Sequence, residues 1–255
     1  MLILFLFLIG LLFGSFANVY FYRMPQSLSV CFPRSFCPNC QKKIAWFDNV
    51  PLISYFLLRG QCRHCQNPIS WKYPVIEAAC GALFAVVSVN LTATPLGQLC
   101  AFLFFAFMLY LMGGIDVTTY FQNDRAFGII PDPLTGTLAV SGLLYASWNP
   151  VINFSLESSV LTGGGSVLIL LALRWSVSRA LNKESLGLGD VKMVGALGVW
   201  LGWQGVTVTL VAGSLIGSVF SLTLIYLHKM DRNTPVPFGP FLALGGIISL
   251  WLLTL

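Results

Sequence analysis

Four cysteines form the most specific chemical pattern in the sequence. Cys37 and Cys40 make one C-x-x-C pair, Cys62 and Cys65 make a second, and 21 residues separate the pairs. This spacing is typical of a tetrahedral thiolate site for Zn²⁺. Four thiolates leave no open position for water or substrate, so the predicted site is structural. Disulfides and a thiol redox role are the alternatives, and both are disfavoured in a reduced cytoplasmic loop. His64 is expected to stay outside the site.

Asp190 is the strongest candidate for a catalytic residue. It ends the run Gly187-Leu188-Gly189-Asp190 and opens an apolar segment. The two glycines allow another backbone or a substrate to approach closely. An acid at the edge of a membrane segment is a functional candidate, because ionised groups are costly there. An N-cap role at the start of a helix explains the same position equally well.

Asp116 is the favoured partner of Asp190, because it ends the third apolar segment at a similar predicted depth. Two neighbouring carboxyl groups do not both ionise easily, so one keeps a proton. One acid can then activate water while the other protonates the scissile carbonyl or the leaving group, as in an aspartic protease. Asp124 and Asp132 compete for this role, although a loop or turn acid explains each. Glu77, within the second apolar segment, is either an ion-pair partner or a functional acid.

The elements that carry these residues follow from the composition. Of the 255 residues, 56% are hydrophobic and 9% are charged. Soluble domains carry about 25% charged residues, so an ordinary soluble protein is excluded, and so is a disordered chain. The apolar runs do not alternate with period two, as the strands of a membrane barrel would. We therefore predict an all-α polytopic membrane protein with about eight transmembrane helices. The predicted segments are 2–22, 75–93, 98–115, 129–148, 159–178, 191–204, 205–227 and 237–255.

The positive charges indicate the topology. All 14 Lys and Arg residues fall in the segments 23–74, 116–128, 179–190 and 228–236 or in the adjoining helix ends. Cytoplasmic loops hold the cations of membrane proteins, so these segments are predicted to be cytoplasmic and both termini external. The net charge of +5 thus reflects topology and not a nucleic-acid partner. The first apolar segment lacks a basic n-region and a cleavage site, which favours a retained helix.

Three regions are predicted along the chain: a first transmembrane helix (1–22), a cytoplasmic four-cysteine metal-binding loop domain (23–74) and a transmembrane peptidase core (75–255). The loop domain is zinc-ribbon-like, and the residues between its cysteine pairs can form two short strands. At about 50 residues it is too small to fold without a staple. No internal repeat is evident.

A series of motifs resembles the type IV prepilin peptidases, which are bifunctional leader peptidases and N-methyltransferases among the GxGD aspartyl proteases. The similar segments, in order, are 14–19 (GSFANV), 22–25 (YRMP), the paired cysteines, 49–55 (NVPLISY), 58–60 (LRG), 69–77 (ISWKYPVIE), 187–192 (GLGDVK) and 237–241 (PFGPF). One departure concerns the first catalytic acid. The family has Ile-Asp, six residues and then Pro-Asp or Pro-Asn, whereas Asn123 precedes Asp124 here. Asp116 keeps the Ile-Asp context and is favoured over Asp124.

The resemblance implies an enzyme of the bacterial inner membrane with its catalytic face towards the cytoplasm. Its substrates would be type IV prepilins or pseudopilins of a pilus or type II secretion system, cleaved after a Gly. Methylation of the new N-terminus would use S-adenosylmethionine, for which the sequence shows no Gly-rich Rossmann turn. Charge sign suggests Asp48, Glu77, Asp124 and Glu184 as contacts for a basic leader. The alternatives are a GxGD protease with other substrates and no methylation, or a zinc-ribbon membrane scaffold or transporter.

Overall fold

The chain folds into helices joined by loops, which confirms the predicted all-α membrane class. The computed structural model describes residues 1–89, 91, 94–123, 128–146, 155–181, 186–228 and 234–254. No β-strand is present in these ranges. The helices are α1 (Leu2–Arg23), α2 (Ile53–Leu57), α3 (Lys72–Val89), α4 (Leu96–Gln122), α5 (Asp132–Ala146), α6 (Leu156–Leu181), α7 (Leu188–Tyr226) and α8 (Gly239–Leu253).

Every predicted apolar segment coincides with a helix. Within the described ranges, five segments are long and apolar enough to cross a membrane: Leu2–Gln26, Lys72–Val89, Leu96–Gln122, Leu156–Ala180 and Leu188–Tyr226. The helices α5 and α8 are shorter, at 15 residues each. Two predicted segments, 191–204 and 205–227, lie in α7, which is interrupted at Gly202 (φ 65°, ψ −173°). Only glycine adopts that backbone geometry readily. The break at Gly202 lies close to the predicted boundary between residues 204 and 205.

The chain divides into two compact units, Met1–Thr94 and Pro95–Leu255. In the first unit, α1 packs along α3. Gly10 and Gly14 allow the two helices to approach closely, because a side chain at Gly10 would meet the Cys80 carbonyl oxygen at 2.8 Å. The predicted division at residues 22 and 74 follows membrane topology and stays a prediction.

In the second unit, α7 packs against α5, α6 and α8, and α4 packs against α8 and α5. A buried Trp200 on α7 donates its indole N–H to the Leu138 carbonyl on α5 at 2.7 Å. Its ring stacks on Tyr145, with centroids 5.1 Å apart. Such a contact satisfies a carbonyl group away from water and fixes α5 against α7. This packing positions the beginning of α7, where Asp190 lies.

Candidate functional site

The four predicted cysteines come together in the first unit. Their sulfur atoms all lie within 4.8 Å of one another, and the Cys37 and Cys65 sulfurs are 3.8 Å apart. A tetrahedral Zn²⁺ site with Zn–S bonds of about 2.3 Å has S···S edges of about 3.8 Å. The geometry therefore fits a four-coordinate metal ion. His64 is not a member of this cluster.

The cluster is built from two copies of one local structure, an internal repeat that the sequence analysis missed. The copies read C-x-x-C-Q-x-x-I and begin at Cys37 and Cys62. In each copy the first cysteine N–H bonds the carbonyl five residues on (Lys42 or Asn67) at 2.9 Å. Gln41 and Gln66 both adopt positive φ (59° and 56°), and each donates its side-chain amide to the carbonyl three residues back. The glutamine that follows each C-x-x-C pair is the feature of the sequence that could have revealed this repeat.

The expectation of two short strands between the cysteine pairs is wrong. Each copy is closed by a single antiparallel bridge, Phe36 with Lys43 and Gln61 with Pro68. The intervening residues form a 3-10 turn at Trp46–Asn49 and the short helix α2. Residues with positive φ recur along this stretch and interrupt the extended backbone that a strand needs. They are Gln41, Leu52, Arg59, Gly60 and Gln66.

Hydrogen bonds to sulfur favour a thiolate in the cluster. The backbone N–H of Asn67 lowers the pKa of the Cys65 thiol to about 6, against the opposing effect of burial. The Asn39 side-chain amide, 3.8 Å from the same sulfur, adds to the lowering of this pKa. The thiolate is the form of cysteine that binds metal ions. The Cys65 sulfur is therefore suited to bind a cation.

Asp116 is buried in the second unit and held in a fixed orientation. Its side chain lies on α4, and the residue is only 4% exposed. The Gly239 backbone N–H, at the beginning of α8, donates to one carboxylate oxygen at 3.0 Å. A helix N-terminus carries a partial positive charge that favours an anion there. Gly128 also packs directly against the carboxyl group of Asp116.

The loops on either side of Asp116 are tied to the same helix. Thr119 accepts a hydrogen bond from the Ile129 backbone N–H at 2.8 Å. The Tyr120 hydroxyl donates to the Pro235 carbonyl at 2.7 Å. These two bonds hold the segments that bring Gly128 and Gly239 to the carboxyl group. The last turns of α4 thus fix the walls around Asp116.

Asp190 lies in the first turn of α7, not at its N-cap. The N-cap is Gly187, and the carboxylate of Asp190 accepts a hydrogen bond from the Gly187 backbone N–H. The alternative of an N-cap role for Asp190 is therefore wrong, because the helix begins at Leu188. A side chain at the third helical position that reaches back to the N-cap is half of a capping box. Gly189 packs against Ile130, and a side-chain carbon at Gly189 would make a tight contact of 3.2 Å with the Ile130 Cβ.

The structure brings Asp116 and Asp190 together. They lie close enough for the charge of Asp116 to act on Asp190, and Asp190 is the more exposed of the two. Asp132 is engaged elsewhere, since it pairs with the Lys192 ammonium group at 2.6 Å on an exposed surface. Asp124 and Glu184 lie outside the described residues.

The two remaining acids of the first unit are hydrogen-bonded. Asp48 forms a two-point ion pair with Arg63, at 2.6 and 2.7 Å, which lowers the pKa of Asp48. Glu77 accepts the Leu52 backbone N–H at 2.8 Å. The Asp48 carboxylate is therefore neutralised by a cation. Its partner Arg63 also disfavours its predicted role as a contact for a basic leader.

Comparison with known proteins places both sites within one family. Residues 8–91 match the model of the bacterial peptidase A24 N-terminal domain, and residues 104–222 match that of the type IV leader peptidase family. A prepilin leader peptidase/N-methyltransferase of Aeromonas hydrophila is 34% identical over 268 residues, which cover 96% of this chain and 88% of that protein. The chain belongs to the type IV leader peptidase family.

Relatives with the same name occur in other bacteria. The Klebsiella pneumoniae protein is 38% identical over 82% of this chain and 90% of its own length. The protein of Burkholderia pseudomallei (strain K96243) is 34% identical over 95% of this chain and 83% of its own length. No solved structure matches the chain. The two family models cover the cysteine cluster and the two aspartates, whereas Gly239 lies beyond the second matched range.

Proposed function

We propose that this protein is a membrane aspartic endopeptidase that cleaves type IV prepilins or pseudopilins and then methylates the new N-terminus. The observation that carries the proposal is the meeting of Asp116 and Asp190 at the ends of two membrane helices. Family membership and the names of the relatives support both activities. Cleavage would follow a Gly of the leader, as the resemblance implies.

The two carboxyl groups supply what peptide hydrolysis requires. A pair that shares one proton has one group to take a proton from water and another to give a proton to the leaving nitrogen. The hydroxyl of that water adds to the carbonyl carbon, and the amine leaves as the C–N bond breaks. The Gly239 N–H fixes one oxygen of Asp116, so its orientation is set before substrate binds.

The position of the pair suits a bond at the membrane edge. Asp116 lies six residues before the end of α4, and Asp190 lies two residues after the start of α7. Both adjoining loops belong to the cation-rich set, which favours a cytoplasmic catalytic face in the bacterial inner membrane. Water is available there, and the apolar helix of a substrate can remain in the bilayer.

The cysteine cluster would hold a structural Zn²⁺ ion. Its residues are Cys37, Cys40, Cys62 and Cys65, and their spacing fits a tetrahedral ion as described. A site made of four cysteines has no open position, so Zn²⁺ would stabilise the loop and not take part in hydrolysis. S-adenosylmethionine would supply the methyl group to the N-terminal amine that cleavage releases.

A cleavage and methylation assay tests the proposal. The purified protein in detergent is given a prepilin whose leader ends in Gly, with S-adenosylmethionine, and the products are identified by mass spectrometry. The wild type should cut after that Gly and add one methyl group to the new N-terminus, whereas Asp190→Asn should leave the prepilin intact. Cleavage without methylation would favour the second candidate, a GxGD protease only. An intact prepilin with the wild type would contradict the proposal.

A further inference from the structure

The first unit holds a cavity that borders the cysteine cluster, since Cys37 and Cys62 are among its lining residues. Its volume is about 410 Å³, and all of its lining residues belong to the first unit. Pockets for small ligands commonly have volumes of about 300–1,000 Å³. Four aromatic rings contribute to the lining: Tyr22, Phe36, Tyr55 and Tyr73. The cavity therefore has the size and the apolar character of a site for a small organic molecule.

A strained turn holds one wall of the cavity. Leu52 has φ 58° and ψ −53°, and the Ile53 N–H bonds the Pro51 carbonyl at 2.6 Å. This is the rare γ-turn with positive φ, which is unfavourable for a residue with a side chain. The turn directs the Leu52 N–H to the Glu77 carboxylate at 2.8 Å. Backbone strain of this kind persists where surrounding groups impose it, often at ligand sites.

Glu77 brings an anionic group to the cavity, and no cation among the described residues is in direct contact with it. Within the part of the chain that the structure describes, its hydrogen bonds come from the Leu52 N–H and the Ser15 hydroxyl, both neutral groups. The other acid on the lining, Asp48, is neutralised by Arg63. The cationic side chains on the lining are Arg23, Lys42, Lys43 and Arg63.

The cations of the lining leave the charge of Glu77 available. The buried Arg23 donates to the carbonyls of Ser29 and Pro33, so it stabilises the loop that follows α1. Lys42 and Lys43 are exposed residues of the first cysteine repeat and offer positive charge to an anionic group. The cavity therefore presents a carboxylate and aromatic rings together with separate ammonium groups.

We propose that this cavity binds S-adenosylmethionine and that Glu77 is the counter-charge of its sulfonium group. The inference rests on the proposed methyltransferase activity and gives that activity a place in the chain. Aromatic faces and a carboxylate are the groups that recognise an organic cation. Lys42 and Lys43 would pair with the carboxylate of the donor. Glu77 is thus a positioning residue and not a catalytic one.

At this site the methyl group would pass from sulfur to nitrogen. The lone pair of the N-terminal amine forms a bond to the methyl carbon while the carbon–sulfur bond breaks. The electrons of the broken carbon–sulfur bond stay on sulfur, which becomes a neutral thioether. The new ammonium group releases a proton to water. Because the positive charge of sulfur is lost, Glu77 should favour the donor over the product.

Direct binding tests the inference without a turnover assay. Calorimetry on the full chain in detergent compares S-adenosylmethionine, which carries the sulfonium charge, with S-adenosylhomocysteine, which does not. Glu77→Gln should weaken binding of the first by about tenfold, and of the second by less than about threefold, because one partly buried charge pair is lost. Metal content and melting temperature establish that the variant is folded. Glu157→Gln, an exposed acid of the second unit, is the matched control.

A second variant keeps the test decisive if Glu77→Gln does not fold. Asn49 is an exposed residue of the cavity lining, and Asn49→Trp should reduce binding of both compounds by narrowing the cavity. Wild-type affinities in the folded variants would overturn the inference. If the wild type also methylates prepilin, the donor binds elsewhere and the proposed function stands. If the wild type neither binds the donor nor methylates, both the inference and the methylation proposal fail.

Discussion

The cysteine cluster and the carboxylate pair are assembled in opposite ways. All ligands of the cluster fall within 29 residues, and each half is a local repeat whose hydrogen bonds are made inside the repeat. The carboxylate pair consists of Asp116 on α4 and Asp190 on α7, and the Gly239 N–H at the beginning of α8 binds Asp116. All three helices belong to the second unit. A local site depends on its ligands and its metal ion, whereas a site between helices depends on packing. The two should therefore respond differently to the same kind of change.

Metal removal should have the largest effect, and it should be confined to the first unit. Structural Zn²⁺ contributes about 10–16 kcal/mol to the folding of zinc-finger peptides. The double variant Cys37→Ser and Cys62→Ser should lose the metal ion and become sensitive to proteases between residues 35 and 70. Elemental analysis and limited proteolysis measure both.

The matched control for metal removal is Cys31→Ser, since Cys31 is exposed and lies outside the cluster. It should keep full metal content. Unchanged metal content in the double variant would show that these cysteines do not hold the ion. Protease sensitivity that extended through 95–255 would show that the two sites are not independent.

Gly239→Ala should have the next largest effect, on peptide cleavage alone. A side-chain carbon at Gly239 would lie 2.7 Å from a carboxylate oxygen of Asp116, so the carboxyl group or α8 must move. Displacement of a catalytic group by about 1 Å can lower the rate about 100-fold. We expect cleavage of prepilin to fall by about 10- to 100-fold, with metal content unchanged.

Gly136→Ala is the control for this substitution, because among the described residues no atom outside its own stretch of helix lies within 4 Å of the added carbon. Its cleavage rate should equal that of the wild type. An equal loss in both variants would mean that glycine substitution harms the membrane helices generally and not the carboxylate pair.

Arg63→Ala should have the smallest effect. It removes the ion pair with Asp48 and a contact with the Phe47 ring, on a side chain that is 53% exposed. Exposed ion pairs contribute little and are screened by salt. The melting temperature should fall by a few degrees at low salt and by less at high salt, with Lys72→Ala as the exposed control. A large loss of metal content would show that the pair is part of the cluster's support.

The sequence predicted the membrane helices well, because their signal is composition over a long window. It also predicted the cysteine cluster, whose geometry follows from spacing within one repeat. The boundary predicted between residues 204 and 205 lies close to the break at Gly202 in α7. Strands between the cysteine pairs were a wrong expectation, because positive φ at residues such as Gln41 and Gln66 is not visible in a hydropathy pattern.

The sequence did not predict the contacts between residues that are distant along the chain. The hydrogen bond from Gly239 to Asp116 joins residues 123 positions apart in the chain. It forms only because α4 and α8 pack against each other. The same holds for Glu77 and Leu52, where a strained backbone turn supplies the donor. The N-cap alternative for Asp190 differed from the structure by three residues, because the N-cap is Gly187.

We propose that Asp116 and Asp190 are the catalytic pair. The direct measurement is the prepilin cleavage rate in detergent for the wild type, Asp116→Asn, Asp124→Asn and Asp190→Asn, each with verified metal content. General acid–base catalysis contributes about 10²- to 10⁴-fold, so Asp116→Asn and Asp190→Asn should lose at least about 10²-fold while Asp124→Asn stays active. An active Asp116→Asn with an inactive Asp124→Asn would contradict the pairing, and full activity in all three variants would contradict the aspartic mechanism.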